Sequence, residues 1–208
     1  MRHAKVSVMA ADYPNNSEPK LDADRIKKRL TNKALHYLGR YASTSARLKA
    51  ILHKFAKLKL GQADPALLDH MIREVVESCV RLGYVDDEAF IKSQLRQGLR
   101  NGFSKQRILL KLAQRGISRE LAVAVMDEQT GEPSDKEDNE LAAALIYARK
   151  KSVGPYSRAE SRPLENQRHL ARLARNGFSF DVVKQVMALP SADAADDLLD
   201  KIYPQQLG

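Results

Sequence analysis

The chain has one cysteine, Cys79, and no tryptophan in 208 residues. One thiol cannot close an internal disulfide or furnish a thiolate zinc framework. No run nears the roughly 20 apolar residues that cross a bilayer; the longest, Leu141 to Ala148, reads as a helix face. The N-terminus has no apolar stretch of signal-peptide length ahead of Asp12 and Pro14. A cytoplasmic, monomeric chain without membrane contact is expected. GxxxxGK[ST] is missing, as is any GxGxxG after a strand. His3, His36, His53, His70 and His169 are accompanied by no cysteine or carboxylate pattern of ligand spacing. Neither a metal nor a cofactor is expected, no Ser/His/Asp constellation can be assembled, and the chain reads as a non-enzyme.

Acid is also missing, in two places. Between Arg25 and Leu60 there are 11 Lys/Arg and no Asp or Glu; between Ala89 and Arg119 there are 8, again without acid. Residues 24–128 hold 21 basic and 11 acidic groups, residues 129–208 hold 11 and 12, and the formal net charge is +9. The positive field is therefore assigned to the first two thirds of the chain. A solvated helix surface usually mixes signs for i,i+4 pairing, and acid-free stretches of this length forgo it. Contact with a polyanion accounts for them better than solvation alone.

Apolar residues recur at helical spacing throughout, as in Ile26, Leu30 and Ala34, or Leu68, Ile72, Val75 and Cys79. No period-two strand pattern is evident. The breaks carry helix punctuation: Asp22, Ser104, Ser118 and Ser179 as N-caps, Pro65 at a first helical position, and stops at Gly83, Gly102 and Gly116. Asp86 and Asp87 open the helix that carries Phe90 and Ile91, where they read as caps rather than as a catalytic pair. Cys79 lies on an apolar stripe and reads as core.

The sequence repeats. Ser104–Glu128 (SKQRILLKLAQRGISRELAVAVMDE) superposes without a gap on Glu165–Leu189 (ENQRHLARLARNGFSFDVVKQVMAL) at an offset of 61. Gln106/Gln167, Arg107/Arg168, Leu112/Leu173, Gly116/Gly177, Ser118/Ser179 and Met126/Met187 coincide. Thr44–Phe55 follows more weakly at an offset of 60. The fold class expected is all-α, three tandem three-helix repeats stacked into an elongated, curved body. The expected division is a disordered 1–21, repeats over 22–83, 84–128 and 139–190, a linker over 129–138 and an acidic tail over 191–208. Arg107 and Lys111 recur as Arg168 and Arg172, with Arg47 as the weaker first-unit counterpart; Arg115 and Arg175 extend the two later rows. Lys92, Arg96 and Arg100 form a further i,i+4,i+8 row. Regular stacking would add these rows into one positive stripe.

Leu82-Gly83-Tyr84-Val85-Asp86-Asp87-Glu88-Ala89-Phe90 resembles the GY-x-DD-x-x-F signature of the RecX family, bacterial regulators of the RecA recombinase. Gly102-Phe103-Ser104, Arg115-Gly116-Ile117 and the segment Arg175-Asn176-Gly177-Phe178-Ser179 are similar to that family as well, and the resemblance spans about residues 25–190. In the signature, Gly83 would end a helix, Tyr84 pack across the turn, Asp86 and Asp87 cap, and Phe90 anchor. The first unit departs from the family pattern: Arg47 stands where a Ser-x-x-Glu-Leu capping pattern has Glu. The resemblance implies binding to RecA–DNA filaments and inhibition or modulation of recombinase, ATPase and coprotease activity. Its partners would be the RecA filament and the phosphate backbone of single- and double-stranded DNA. The candidate contact residues are Arg96, Arg100, Lys105, Arg107, Lys111, Arg115, Arg168 and Arg172. A stand-alone helix-turn-helix-like DNA-binding protein and a purely protein-binding helical scaffold are the alternatives.

Overall fold

A computed structural model of the chain describes residues 22–130, 133–157 and 163–203. Ten α-helices follow one another: α1 (Ala23–Leu38), α2 (Ser45–Lys59), α3 (Pro65–Arg81), α4 (Asp87–Arg100), α5 (Lys105–Ala113), α6 (Arg119–Thr130), α7 (Pro133–Lys151), α8 (Pro163–Arg175), α9 (Phe180–Ala188) and α10 (Ala192–Ile202). A 3-10 turn at Gly154–Tyr156 follows α7. No strand occurs among the described residues.

The helices start where short polar side chains satisfy orphan amides. Thr44 takes the Arg47 N–H at 3.1 Å, Asp64 that of Leu67 at 2.9 Å, Asp86 that of Ala89 at 2.8 Å and Ser104 that of Arg107 at 3.2 Å. Ser118, Ser179 and Ser191 do the same for α6, α9 and α10. Asp22 precedes α1 in extended backbone, but its carboxylate caps nothing.

The helices pack in groups of three or four, because most present one apolar stripe and need partners to cover it, while α7 is buried all round from Leu141 to Ala148. Ile26, Leu30, Leu48, Leu52, Leu60 and Ile72 are fully buried between α1, α2 and α3. Ile91, Ile108, Leu112 and Met126 form the centre of a second core between α4, α5 and α6. A third core joins α7, α8, α9 and α10 around Leu145, Leu173, Val183 and Val186. No helix of the first unit packs along one of the third, so the three units follow one another as a stack of helical repeats. Burial pushes the Cys79 thiol up, as suits a core residue.

Three expectations change. Tyr84 is 56% exposed, and the buried residue of its turn is Val85. Asp87 does not cap α4; its carboxylate leaves its own unit for Ser45 of α2. The 129–138 segment is helical at both ends, with α6 reaching Thr130 and α7 starting at Pro133. Within the segment 191–208, α10 buries Ala195 and Leu199 against α7. Residues 1–21 lie outside the described residues.

Candidate nucleic-acid interface

The units are joined by a repeated device. The Ser104 hydroxyl that caps α5 donates to the Asn176 carbonyl at 2.5 Å, in the turn between α8 and α9. The Thr44 hydroxyl that caps α2 donates to the Arg115 carbonyl at 2.6 Å, in the turn between α5 and α6. Donor positions differ by 60 and acceptor positions by 61, the register of the sequence repeat. The glycine after each acceptor lets the backbones approach. Gly177 has φ +86°, and a Cβ there would lie 2.8 Å from the Ser104 Oγ. Gly116 has φ +79°, and a Cβ would lie 2.5 Å from that of Ala46. A side chain at either place would meet both the left-handed backbone and the neighbouring unit.

This joint brings cations from two units together. Arg107 on α5 donates through Nη1 to the Asn176 side-chain oxygen at 3.1 Å. Asn176 in turn donates to the Tyr147 hydroxyl at 2.7 Å and to the Arg172 carbonyl at 2.8 Å. Phe103 carries two cations on its ring, the Arg107 guanidinium at 4.3 Å and the Lys111 ammonium at 4.0 Å from the centroid. An open groove of about 740 Å³ runs beside them. Leu109, Leu110 and Ala113 make it apolar, while Arg107, Arg119 and Arg175 line it with charge. Arg175 also lines the next groove, of about 430 Å³, with Arg168, Arg172, His169 and Glu165. The cations from Lys111 through Arg107 and Arg175 to Arg172 and Arg168 therefore follow one another across the joint. Among the described residues none of these five forms an ion pair.

The other sequence-derived candidates sit elsewhere. Lys105 is engaged by Asp127 of α6 at 3.0 Å. Lys92 reaches Glu128 at 3.4 Å, which turns the Lys92–Arg96–Arg100 row toward the α6 flank of α4. Arg100 acts electrostatically on Tyr203 at the end of α10, whose phenol is pushed up by burial and pulled back by that charge. Lys111 lies with Gln94, Gln97 and Asn101 on the opposite flank of α4. Arg115 lends its carbonyl to Thr44, and its exposed side chain lines neither groove. The rows thus form two separate basic surfaces rather than one.

Arg119, Arg175 and Asn176 were absent from the candidate set. Arg175 carried a signal, since it extends the third-unit row. Asn176 carried one too, immediately before the repeated glycine. Arg119 carried none, because its groove exists only once α8 is docked. Third-unit arginines share this surface although residues 129–208 are nearly neutral. Three acids of that segment, Asp193, Asp197 and Asp200, lie exposed on α10, while Glu165 lines the second groove.

Helical units, repeated caps and glycine-seated joints define a tandem three-helix-repeat protein, with no metal-ligand cluster among the described residues. A family model for the second three-helix domain of RecX matches residues 86–126, the unit at the centre of these contacts. Over 169 residues the chain is 32% identical to the regulatory protein RecX of Agrobacterium fabrum, covering 81% of this chain and 87% of that one. It is 35% identical over 163 residues to that of Myxococcus xanthus, covering 76% and 83%. The chain belongs to the RecX family of regulatory proteins. The crystal structure of RecX from Lactobacillus salivarius has the same fold, with a TM-score of 0.60 at 19% identity over 79% of this chain and 96% of that chain.

Proposed function

We propose that this protein binds RecA–DNA filaments and modulates their recombinase, ATPase and coprotease activities, without chemistry of its own. Phosphates and acidic filament surfaces are the partners of the cations between Lys111 and Arg168. The observation that carries this reading is the sharing of Arg175 by the two grooves. It makes a row of guanidinium groups, without ion pairs among the described residues, run from the second unit into the third. Guanidinium groups held this way suit phosphate oxygens, and such contacts are independent of base sequence and sensitive to salt. Asn176 and Phe103 hold Arg107 in place before any ligand arrives, which lowers the ordering cost of binding.

The test is the triple variant Arg107→Glu, Arg172→Glu, Arg175→Glu, assayed for inhibition of DNA-dependent RecA ATPase. The half-inhibitory concentration is expected to rise at least about tenfold, with a shallower salt dependence of filament binding. Unchanged inhibition by a folded variant would remove this track from the mechanism. Arg96→Glu with Arg100→Glu reads the other basic surface separately. Specific duplex binding that persists without RecA would favour the stand-alone DNA-binding alternative.

A further inference from the structure

The first turn of α2 contains no acid, and Arg47 occupies the place where a capping box would put one. Its amides still need acceptors. Thr44 supplies one within the unit. A second comes from the second unit: Asp87 accepts the Ser45 N–H through Oδ1 at 2.8 Å and the Ser45 hydroxyl through Oδ2 at 2.6 Å. Both oxygens of one carboxylate are thus spent on a helix start 42 residues away. Charge-assisted bonds at the positive end of a helix are among the stronger polar contacts a surface can make.

Little else crosses this boundary. The first two cores share no residue, and no helix of the first unit packs along one of the second. Besides Asp87 and the connecting turn, whose Val85 is buried in the first core, the contacts across it include the Thr44–Arg115 hydrogen bond and the approach of Ala46 to Gly116. The first unit is also the most basic: of the 11 Lys/Arg between Arg25 and Leu60, only Lys27 forms an ion pair among the described residues, with Glu74 at 2.8 Å.

We propose that Asp87 is a positioning residue: by capping α2 from the second unit it fixes the angle of the first unit, and so aligns that unit's cations with the Arg107–Arg175–Arg168 track. The alignment rests on the polyanion reading above; the fixing of the angle does not. A rigid array engages a long polyanion with all its cations at once, whereas a hinged one orders its first unit on each binding event.

The test uses the full chain with spin labels at Ala50→Cys in α2 and Glu120→Cys in α6, both exposed positions, Cys79 being buried. With Asp87 present, one narrow distance distribution is expected. Asp87→Ala should broaden it while helix content stays unchanged. Asp87→Asn, which keeps one acceptor for the Ser45 amide, should restore most of the narrowness. An equally narrow distribution in the alanine variant overturns the positioning role, as does a loss of helix content that accompanies the broadening. The consequence is read with oligo(dT) probes of two lengths. Asp87→Ala should weaken binding to a 40-mer about tenfold and leave a 12-mer unchanged. Equal weakening on both lengths overturns the alignment. Failure of the unaltered protein to bind either probe overturns the polyanion reading and leaves the distance result standing.

Discussion

The boundary between the first and second units and the boundary between the second and third use the same hydrogen bond, a hydroxyl cap seated on a carbonyl before a left-handed glycine. They differ in everything around it. At the second boundary α7 packs along α4 and α6, and Leu99 belongs to both neighbouring cores. Gly102, at φ +74°, lies so close to α7 that a Cβ would come within 2.7 Å of the Tyr147 nitrogen. At the first boundary there is a carboxylate instead, Asp87, and no shared apolar residue. Polar contacts orient units sharply but add little net stability, whereas buried apolar area is non-directional and adds much more. One boundary therefore behaves as a fused core and the other as a latch.

Gly102→Val is the largest expected perturbation. Its Cβ would meet the backbone of α7, which cannot turn aside, and its φ penalises any side chain. A loss of about 3 kcal/mol or more is expected in denaturant unfolding of the second and third units together, with the first unit's transition unmoved. Equal loss in all three units would show that the two boundaries are not different in kind. The cap residues compare the boundaries more gently. Ser104→Ala and Thr44→Ala each remove a cap and an inter-unit bond, and each should cost about 1–2 kcal/mol. Only Thr44→Ala should loosen the relation between units, since apolar packing holds the other boundary; hydrogen exchange of the α2 and α5 first turns distinguishes them.

The smallest effect is in alkali. Burial, the hydrogen bond to Asp196 and that carboxylate's charge push the Tyr156 phenol well above the ordinary tyrosine range. A folded-state pKa above the unfolded one means this contribution is complete below about pH 10, where free phenols ionise, and is lost as pH rises further. The third unit should therefore weaken above that pH before the first does. In Tyr156→Phe the alkaline slope of its melting temperature should flatten.

Much of this fold was legible residue by residue. The repeat at an offset of 61, the serine caps and the glycine stops predict the helices and their grouping. Each reports a local requirement: an amide needing an acceptor, a backbone needing positive φ, an apolar stripe needing cover. The candidate site was legible in part. The repeat marks Arg107, Lys111, Arg168 and Arg172; Arg107, Arg168 and Arg172 line adjoining grooves, and Lys111 shares the Phe103 ring with Arg107. Lys105 was equally visible as a cation, yet its partner Asp127 is 22 residues on, at a distance no helical spacing announces.

The sequence alone determined that the chain is helical, where most of its helices start and stop, and that its units are alike, since those properties depend on neighbours a few positions away. Only the tertiary structure decided that Asp87 serves α2 rather than α4, that Arg175 joins two grooves, and that α10 folds onto α7. Each of these is a choice among partners dozens of residues apart, made by the geometry of packed cores rather than by local backbone preference.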